Sequence, residues 1–441
     1  MERLILQKLI AWKESQSRKP LILDGARQVG KTWVLQEFGR RHFSSFAYFN
    51  CDGNDKLKEI FSGGFSKDRI IRDLGLVSGM PLTTDTLVIL DEIQEIPEAL
   101  TALKYFCESA QELPIAAAGS LLGLSVHSGT GFPVGKVDIL KMYPMTFSEF
   151  IWALRGNEAY KVISEERPDS FGTLHTTFKE CLRQFYFTGG MPEAVAAFVG
   201  GKAPDEIRTI QNAILYSYNK DISKHASPKD IPKIHMVWDS IPQQLAKENK
   251  KFIYGAIRTG ARAKEFENAI QWLSDAGLVY KVNRVRKAEI PLKFYDDFEA
   301  FKLFTLDCGL LGAMTSTPAE QILVGENIFE EYKGAFTEQF VLQQILPTLE
   351  SKPFYYSADD SKQELDFLLQ NGKSMIPVEV KAEENLRAKS LRQFVKEHEG
   401  THGIRISMSP YREQDWLTNY PLYLAERFLC ATKKRCSKNT S

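Results

Sequence analysis

Short apolar runs alternate with longer stretches of helical periodicity over residues 20–150. The apolar runs read PLILD, FAYFN, LVILD and PIAAA, and segments with a helical spacing of apolar residues separate them. Continuous apolar runs of this length, alternating with helices, are typical of a parallel sheet that is covered on both faces. The pattern therefore predicts an α/β domain built on a parallel sheet.

The pattern changes in the remainder of the chain. A helical, aromatic-rich stretch is followed by two more helical stretches and then by the alternating segments GLVYKV and FKLFTLD, an order that suits a winged helix. From residue 316 the order is helix, strand, strand, helix, strand, which predicts a compact α/β unit. The 441 residues exceed what one core usually organises. The predicted units are a parallel-sheet domain over residues 1–155, a helical unit over 156–225, a winged helix over 226–315, a small α/β domain over 316–430 and a flexible tail over 431–441.

Charge and cysteine content restrict the partners and the compartment. The 56 Lys and Arg residues balance the 56 Asp and Glu residues, so a nucleic acid would have to be met by a local basic patch or through a metal site. The six cysteines form no C-x-x-C pair, which predicts reduced thiols rather than a zinc or redox site. No run approaches the roughly 20 apolar residues that span a bilayer. We therefore expect a cytoplasmic protein.

The strand PLILD is followed by a segment that fits G-x-x-x-x-G-K-[ST] at every fixed position. Its residues are Gly25, Ala26, Arg27, Gln28, Val29, Gly30, Lys31 and Thr32. Glycines at both ends let such a loop turn successive backbone N–H groups toward phosphates, and the helix that follows adds the positive end of its dipole. Lys31 is expected to reach the β- and γ-phosphates and Thr32 to ligate Mg²⁺. The segment therefore predicts a site for ATP and Mg²⁺.

Two adjacent acids end the third apolar run. Asp91 and Glu92 follow LVIL directly, and neighbouring carboxylates are costly inside a core unless a function requires them. Asp91 is predicted to hold Mg²⁺, and Glu92, on the other side of the strand, is predicted to act as the general base that activates the attacking water. The run PIAAA ends shortly before Ser120, which is expected to face the γ-phosphate.

These segments resemble prokaryotic AAA-type ATPases whose ATPase domain is followed by a C-terminal domain of unknown function. GARQVGKT, DEIQEIP, AAGS, YPMTFSEF at residues 143–150 and FTGGMPEAV at residues 187–195 carry the resemblance, which runs through nearly the whole chain. It implies an AAA-type P-loop ATPase domain with a helical lid. FTGGMPEAV has a second interpretation, because a glycine pair followed by Met-Pro-Glu also suits a turn and a helix start.

The resemblance leaves the arginine finger open. The family pattern has Gly-Arg where this chain has Gly135-Lys136, and a lysine lacks the planar fork that stabilises a transferring phosphoryl group. If the family's arginine serves that purpose, Lys136 replaces it poorly. Arg155 and Arg183 are alternatives between which the sequence does not decide.

The predicted winged helix has a helix with charges of both signs and a hairpin that is mainly basic. Arg262 and Lys264 on the helix are offset by Glu265 and Glu267, whereas the hairpin contains several cations. These are Lys281, Arg284, Arg286, Lys287 and Lys293. Contact with a nucleic-acid backbone, a solvated charged ribbon and a protein-docking surface all remain open.

Polar residues interrupt the apolar elements of the C-terminal unit. Glu338 falls on a predicted helix, Asp366 on the strand QELDFLL, and Glu379 and Lys381 on the strand IPVEVK. The order resembles the PD-(D/E)xK endonuclease core, which implies that the three acids bind Mg²⁺ and that Lys381 orients the attacking water. Gln393 lies where many such cores keep a polar residue. An active nuclease, a nuclease-like fold used only for binding, and a coincidental match all remain open.

The leading hypothesis is an ATPase whose nucleotide cycle is coupled to a C-terminal nuclease-like domain that engages DNA or RNA. The alternative is a signalling or regulatory NTPase whose C-terminal half docks a protein and cleaves nothing. The substrate, the oligomeric state and the direction of ATP control are not determined by the sequence.

Overall fold

The computed structural model describes residues 1–119, 133–247, 250–323, 333–349, 351–358, 363–382 and 388–429. The chain divides into two compact units. Glu2–Tyr143 with Asp275–Gly277 form the first, called the N-terminal unit here. Pro144–Ser274 and the chain from Leu278 onward belong to the second, the C-terminal unit.

The N-terminal unit contains a five-stranded parallel sheet with the order β2-β3-β4-β1-β5. Its strands are β1 (Leu21–Asp24), β2 (Ser45–Asn50), β3 (Thr86–Asp91), β4 (Ile115–Gly119) and β5 (Asp138–Lys141). Its helices are α1 (Ile5–Glu14), α2 (Lys31–His42), α3 (Asp55–Ser62), α4 (Lys67–Ser78) and α5 (Pro97–Ser109). The predicted α/β fold class with a parallel sheet is confirmed.

Burial explains which strands the apolar pattern revealed. Every residue of the central strands β1, β3 and β4 is buried, so these strands read as continuous apolar runs. Strand β5 lies at the edge and alternates between half-buried and exposed residues. Its sequence DILK therefore carries no continuous apolar run, and this fifth strand was not predicted.

The C-terminal unit contributes the remaining helices and strands. The helices of its first part are α6 (Phe147–Glu165), α7 (His175–Thr188), α8 (Pro192–Val199), α9 (Pro204–His225), α10 (Ile231–Leu245) and α11 (Ala263–Asp275). A hairpin of β6 (Val279–Val285) and β7 (Asp296–Thr305) follows, then α12 (Cys308–Met314), α13 (Ala319–Leu323) and α14 (Lys333–Ile345). The last elements are β8 (Phe354–Ser357), β9 (Glu364–Asn371), β10 (Ser374–Val380), α15 (Lys389–Glu397), β11 (Gly403–Ser407), β12 (Arg412–Glu413) and β13 (Leu417–Pro421).

One eight-stranded mixed sheet runs through this unit, with the order β12-β13-β11-β10-β9-β8-β6-β7. The hairpin of β6 and β7 has the helix–helix–hairpin context expected for residues 226–315, and β6 also pairs in parallel with β8. The same sheet therefore crosses the boundary that the sequence suggested at residues 315 and 316. The segments predicted as a helical unit, a winged helix and a C-terminal α/β domain fall within one compact unit.

The glycine pair of FTGGMPEAV makes close backbone contacts. Gly189 has a positive φ of 72° and precedes α8, which begins with Pro192 in its first turn. A Cβ atom on Gly190 would lie 2.1 Å from the carbonyl oxygen of Met145, and the Gly190 N–H donates to Asp307 Oδ2 over 2.6 Å. Gln343 Nε2 donates to the same carboxylate oxygen over 2.8 Å. The turn-and-helix interpretation of this motif is confirmed.

No helix among the described residues is both long enough and apolar enough to span a bilayer.

Candidate functional site

The segment of residues 25–32 forms the loop between β1 and α2. Gln28 and Gly30 have positive φ angles of 65° and 94°, and α2 begins at Lys31. A Cβ atom on Gly25 would lie 2.4 Å from the carbonyl oxygen of Met142, so only glycine fits there. Arg3 precedes α1 and was not singled out in the sequence. Its guanidinium donates to the carbonyl oxygen of Val29 over 2.9 Å and so stabilises the loop.

Lys31 turns back into this loop. It is buried, and its Nζ donates to the carbonyl oxygens of Gly25 and Ala26, both over 2.8 Å. Burial lowers the pKa of Lys31, whereas the carboxylates of Glu92, Asp24 and Asp91 oppose that shift. An ammonium surrounded by the backbone of a loop at a helix N-terminus fits a phosphate group, because each of these features offers positive charge or a donor.

The two predicted magnesium ligands are in direct contact. The Thr32 hydroxyl donates to Asp91 Oδ2 over 2.8 Å, and the Tyr48 hydroxyl donates to the same oxygen over 2.9 Å. Burial and the hydrogen bond to Asp91 raise the pKa of Tyr48. Oxygen atoms of a hydroxyl and a carboxylate are suitable Mg²⁺ partners. Tyr48 is a contact that the sequence reasoning missed, because it lies within the otherwise apolar run FAYFN.

Glu92 is held beside Asp91 in an uncommon backbone conformation. Its φ is 49°, in the left-handed region, and its N–H donates to Asp91 Oδ1 over 3.1 Å. Gln94 Nε2 donates to Glu92 Oε2 over 2.5 Å, while Gln94 Oε1 is buried without a hydrogen-bond partner. Left-handed non-glycine residues are enriched at functional sites, where surrounding contacts maintain them. The Gln94 side chain is one of these contacts.

Asp24, the last residue of β1, is a buried acid next to the loop. Burial raises its pKa to about 6, against the opposing charges of Lys141 and Lys31, and its Oδ1 is buried without a hydrogen-bond partner. The sequence reasoning treated Asp24 only as the end of a strand. Its position next to the phosphate-binding loop could have drawn attention to it.

The other predicted ATPase residues have separate outcomes. Ser120 lies outside the described residues. Lys136 is exposed and forms an ion pair with Glu108 over 3.0 Å. Arg155 lies near Cys181 in the C-terminal unit, and the finger remains unassigned.

Three of the five cations named in the basic hairpin form ion pairs with acids of the same hairpin. Arg284 and Arg286 pair with Asp297 over 2.6 and 3.1 Å, and Lys287 pairs with Glu289 over 2.5 Å. The half-buried Lys281 lies over a phenylalanine ring at 4.3 Å. Cations that are already paired release less free energy on contact with phosphate, so the hairpin is a weaker nucleic-acid surface than its composition suggested.

Strand pairing brings the C-terminal acids together. The register of β9 and β10 pairs Phe367 with Val378, and Asp366 and Glu379 are the next residues along the two strands. The Val380 N–H donates to Asp366 Oδ2 over 2.7 Å. Directly opposite residues of an antiparallel pair share one face of the sheet. Asp366 and Glu379 therefore lie on paired strands, and their joint role as metal ligands stays a prediction.

Lys381 and Glu338 complete this group from two other positions. Lys381 Nζ lies 2.8 Å from Glu379 Oε1, and the carboxyl groups of Glu338 and Asp366 are neighbours. Burial and the neighbouring Glu338 raise the pKa of Asp366. Gln393, by contrast, is exposed and donates to Glu397 over 2.8 Å.

Two further lysines that the sequence reasoning missed contact Glu338. Lys250 Nζ lies 2.6 Å from Glu338 Oε1, and Lys302 Nζ lies 3.5 Å from Glu338 Oε2 and 3.0 Å from Glu364. Although burial opposes the shift, Lys302 and Lys250 lower the pKa of Glu338. Lys302 interrupts the apolar segment FKLFTLD, and that interruption was the available signal. We call Lys250, Lys302, Glu338, Asp366, Glu379 and Lys381 the carboxylate–lysine cluster.

The fit of this cluster to a metal is incomplete as it stands. In the part of the chain that the structure describes, no group of three or more His, Cys, Asp or Glu side chains is arranged to hold a metal ion. Glu379 Oε2 is nevertheless buried without a hydrogen-bond partner, and carboxylate oxygens are the ligands that Mg²⁺ and Mn²⁺ prefer. The carboxylates of the cluster suit such a cation, but the lysines of the cluster already neutralise part of their negative charge.

Three family models match the chain. Residues 17–151 match the AAA domain, residues 179–321 match a domain of unknown function (DUF8612), and residues 333–424 match a domain of unknown function (DUF4143). No curated protein matches the chain in sequence.

Several solved structures are similar at low identity. The Aeropyrum pernix Orc1 protein, solved in complex with DNA, is 13% identical, with 73% of this chain and 92% of that chain covered and a TM-score of 0.28. Cdc6p from Pyrobaculum aerophilum is 14% identical, with 70% and 92% covered and a TM-score of 0.27. The Thermotoga maritima RuvB Holliday junction branch migration motor is 13% identical, with 65% and 90% covered and a TM-score of 0.26. By its strand–loop–helix order and by its family match, the segment of residues 17–151 is similar to AAA-type P-loop domains, which supports an ATP-binding ATPase.

Proposed function

We propose that the N-terminal unit binds ATP with Mg²⁺ and hydrolyses the γ-phosphate bond. The observation that carries this proposal is the contact of 2.8 Å between Thr32 Oγ1 and Asp91 Oδ2, beside a loop that encloses Lys31. Two motifs that lie 59 residues apart in sequence meet at one point. That meeting is what a shared magnesium ion requires.

Each side chain has a defined task in this proposal. Lys31 exchanges the carbonyl oxygens of Gly25 and Ala26 for phosphate oxygens. Thr32 and Asp91 hold the Mg²⁺, which neutralises charge on the phosphates when it is bound. Glu92 takes a proton from the attacking water, because a carboxylate next to the reacting centre can act as a general base. Ser120 is proposed to face the γ-phosphate.

Calorimetry and a phosphate-release assay test the proposal on the full chain. Lys31→Ala is expected to lose ATP binding, whereas the control Lys58→Ala, on the exposed side of α3, binds as wild type does. Glu92→Gln is expected to bind ATP but to turn over about a hundredfold more slowly or worse. Normal turnover by Glu92→Gln would place the general base at another residue.

We further propose that ATP hydrolysis is coupled to a nuclease-like site in the C-terminal unit. The neighbouring carboxylates of Asp366 and Glu379, with Lys381 at 2.8 Å from Glu379, support this assignment. In it Glu338, Asp366 and Glu379 hold a divalent cation, and Lys381 orients the water that attacks a phosphodiester. DNA or RNA is the proposed substrate.

Cleavage of plasmid DNA and of RNA with Mg²⁺ or Mn²⁺ separates this proposal from the alternative. A nuclease loses cleavage in Asp366→Ala and in Lys381→Ala. Equal cleavage by wild type and both variants would reveal a contaminant, and no cleavage by wild type would favour the regulatory NTPase whose C-terminal unit docks a protein. The ion pairs of the basic hairpin favour that alternative. An ATPase assay with and without DNA, RNA and protein partners tests the coupling.

A further inference from the structure

Lys250 contacts a proposed metal ligand although it belongs to no recognised motif. Its Nζ lies 2.6 Å from Glu338 Oε1, and its side chain is only 11% exposed. A buried ammonium offers this oxygen the positive charge that a divalent cation would otherwise offer. We propose that Lys250 is a tethered cation, which holds Glu338 while no metal is bound and leaves it when a divalent cation binds. This inference rests on the proposed metal site.

The backbone around Lys250 is suited to such a role. Lys250 lies outside the helices and strands, with a left-handed φ of 50°, and the Phe252 N–H two residues later donates to the carbonyl oxygen of Phe301 over 2.8 Å. That bond anchors the segment beside Lys302 on β7. A non-glycine residue keeps a left-handed backbone only where other contacts hold it, and the ion pair with Glu338 is such a contact.

Lys302 is not equivalent to Lys250. It lies within β7, is 1% exposed, bridges Glu338 and Glu364, and packs over the ring of Tyr355 at 4.9 Å. Contacts with two carboxylates and an aromatic ring hold its ammonium group in place. Lys302 thus stays in place as a permanent counter-charge, and Lys250 is the cation that can exchange.

Exchange of Lys250 for a divalent cation explains why the carboxylates of the cluster are present although the described residues are not arranged to hold a metal ion. With Lys250 withdrawn, Glu338 Oε1 becomes available next to Asp366, and Glu379 Oε2 is already without a hydrogen-bond partner. Hard divalent cations prefer several carboxylate oxygens together. Mutual repulsion between Lys250 and the incoming cation would weaken binding as long as the lysine remains.

Calorimetric titration of the nucleotide-free full chain with Mn²⁺ tests the inference. Lys250→Met is expected to bind Mn²⁺ at least about tenfold more tightly than wild type, because the competing charge is gone. Lys250→Arg keeps the charge and is expected to bind as weakly as wild type. Lys251→Met, at the adjacent exposed lysine, is the matched control. Asp366→Ala added to Lys250→Met is expected to remove the tighter binding, which places it in the cluster.

The titration distinguishes failure of the inference about Lys250 from failure of the proposed metal site. Equal affinity of wild type and Lys250→Met, with binding lost in Asp366→Ala, would overturn the role of Lys250 and leave the metal site standing. Tighter binding by Lys250→Arg as well would also overturn it, because charge would not be the cause. No Mn²⁺ binding by any variant would overturn both this inference and the proposed metal site.

Discussion

Gln94 donates its side-chain amide to the carboxylate of Glu92, with 2.5 Å between Gln94 Nε2 and Glu92 Oε2. Both residues belong to the segment DEIQEIP, and Gln94 is buried while Glu92 is partly exposed. In the proposed mechanism Gln94 neither binds phosphate nor transfers a proton. Its amide instead holds the carboxylate of Glu92, the proposed general base. Gln94 therefore acts as a positioning residue in the proposed mechanism.

Removal of this amide is expected to affect turnover more than binding. Gln94→Leu keeps the size of the side chain but leaves Glu92 without its donor, so we expect kcat to fall about tenfold or more, since small misplacements of a catalytic group are costly. The ATP dissociation constant should change by less than about threefold. Glu95→Gln, at the next residue, serves as the control, and a larger loss of binding than of kcat would show that Gln94 supports the nucleotide pocket instead.

Tyr48 is expected to contribute to stability through Asp91. Tyr48→Phe removes one of the two donors to Oδ2 of the buried Asp91 carboxylate, and the loss of such a hydrogen bond costs about 1–2 kcal/mol of unfolding free energy. Chemical denaturation of the nucleotide-free protein measures this change. ATP affinity should stay close to that of wild type because Thr32 remains. Tyr105→Phe, at an exposed ring, is the control, and complete loss of ATP binding in Tyr48→Phe would mean that the hydroxyl contacts the nucleotide itself.

The raised pKa of Asp24 predicts that the stability of the folded protein depends on pH. Its pKa is raised from 3.8 to about 6 in the folded state, so the folded state binds this proton more tightly than the unfolded state does. The associated stability is fully present below pH 3.8 and is lost as the pH rises through about 6, a loss of roughly 1–3 kcal/mol.

Thermal unfolding of Asp24→Asn across this range checks the prediction. The variant removes the ionised form, so it should unfold at a higher temperature than wild type at pH 7.5 and at a similar temperature below pH 4. Asp85→Asn, at an exposed acid, should not show this pattern. A difference that is the same at both pH values would exclude ionisation of Asp24 as its cause.

Gly190 is expected to tolerate no side chain. In Gly190→Ala the new Cβ would lie 2.1 Å from the carbonyl oxygen of Met145 and 2.9 Å from Gln343 Nε2. The backbone must shift to relieve this clash, and we expect the C-terminal unit to lose about 3 kcal/mol or more of stability. Gly172→Ala is the matched control, because a Cβ atom there meets nothing within 4 Å. Unfolding followed by circular dichroism compares the two, and equal stability would show that the close approach relaxes freely.

The sequence by itself determined the parts whose chemistry is local. The loop of residues 25–32, the acids at the end of β3 and four of the five parallel strands were predictable. The three central strands are buried and leave continuous apolar runs, the edge strand β2 is also rich in apolar residues, and phosphate loops need glycines at set spacings. The two-residue period of a strand likewise predicted Glu379 and Lys381 on one face, and Lys381 follows directly after β10 with its Nζ 2.8 Å from Glu379 Oε1.

Only the tertiary structure decided the contacts between distant segments. The meeting of Tyr48 with Asp91, the pairing of β6 with β8 and the approach of Lys250 and Lys302 to Glu338 depend on strand order and side-chain direction. Local periodicity carries no information about which elements become neighbours. Burial then changes the role of a residue, since a lysine that would be a solvated charge in a loop becomes the counter-ion of an otherwise uncompensated carboxylate.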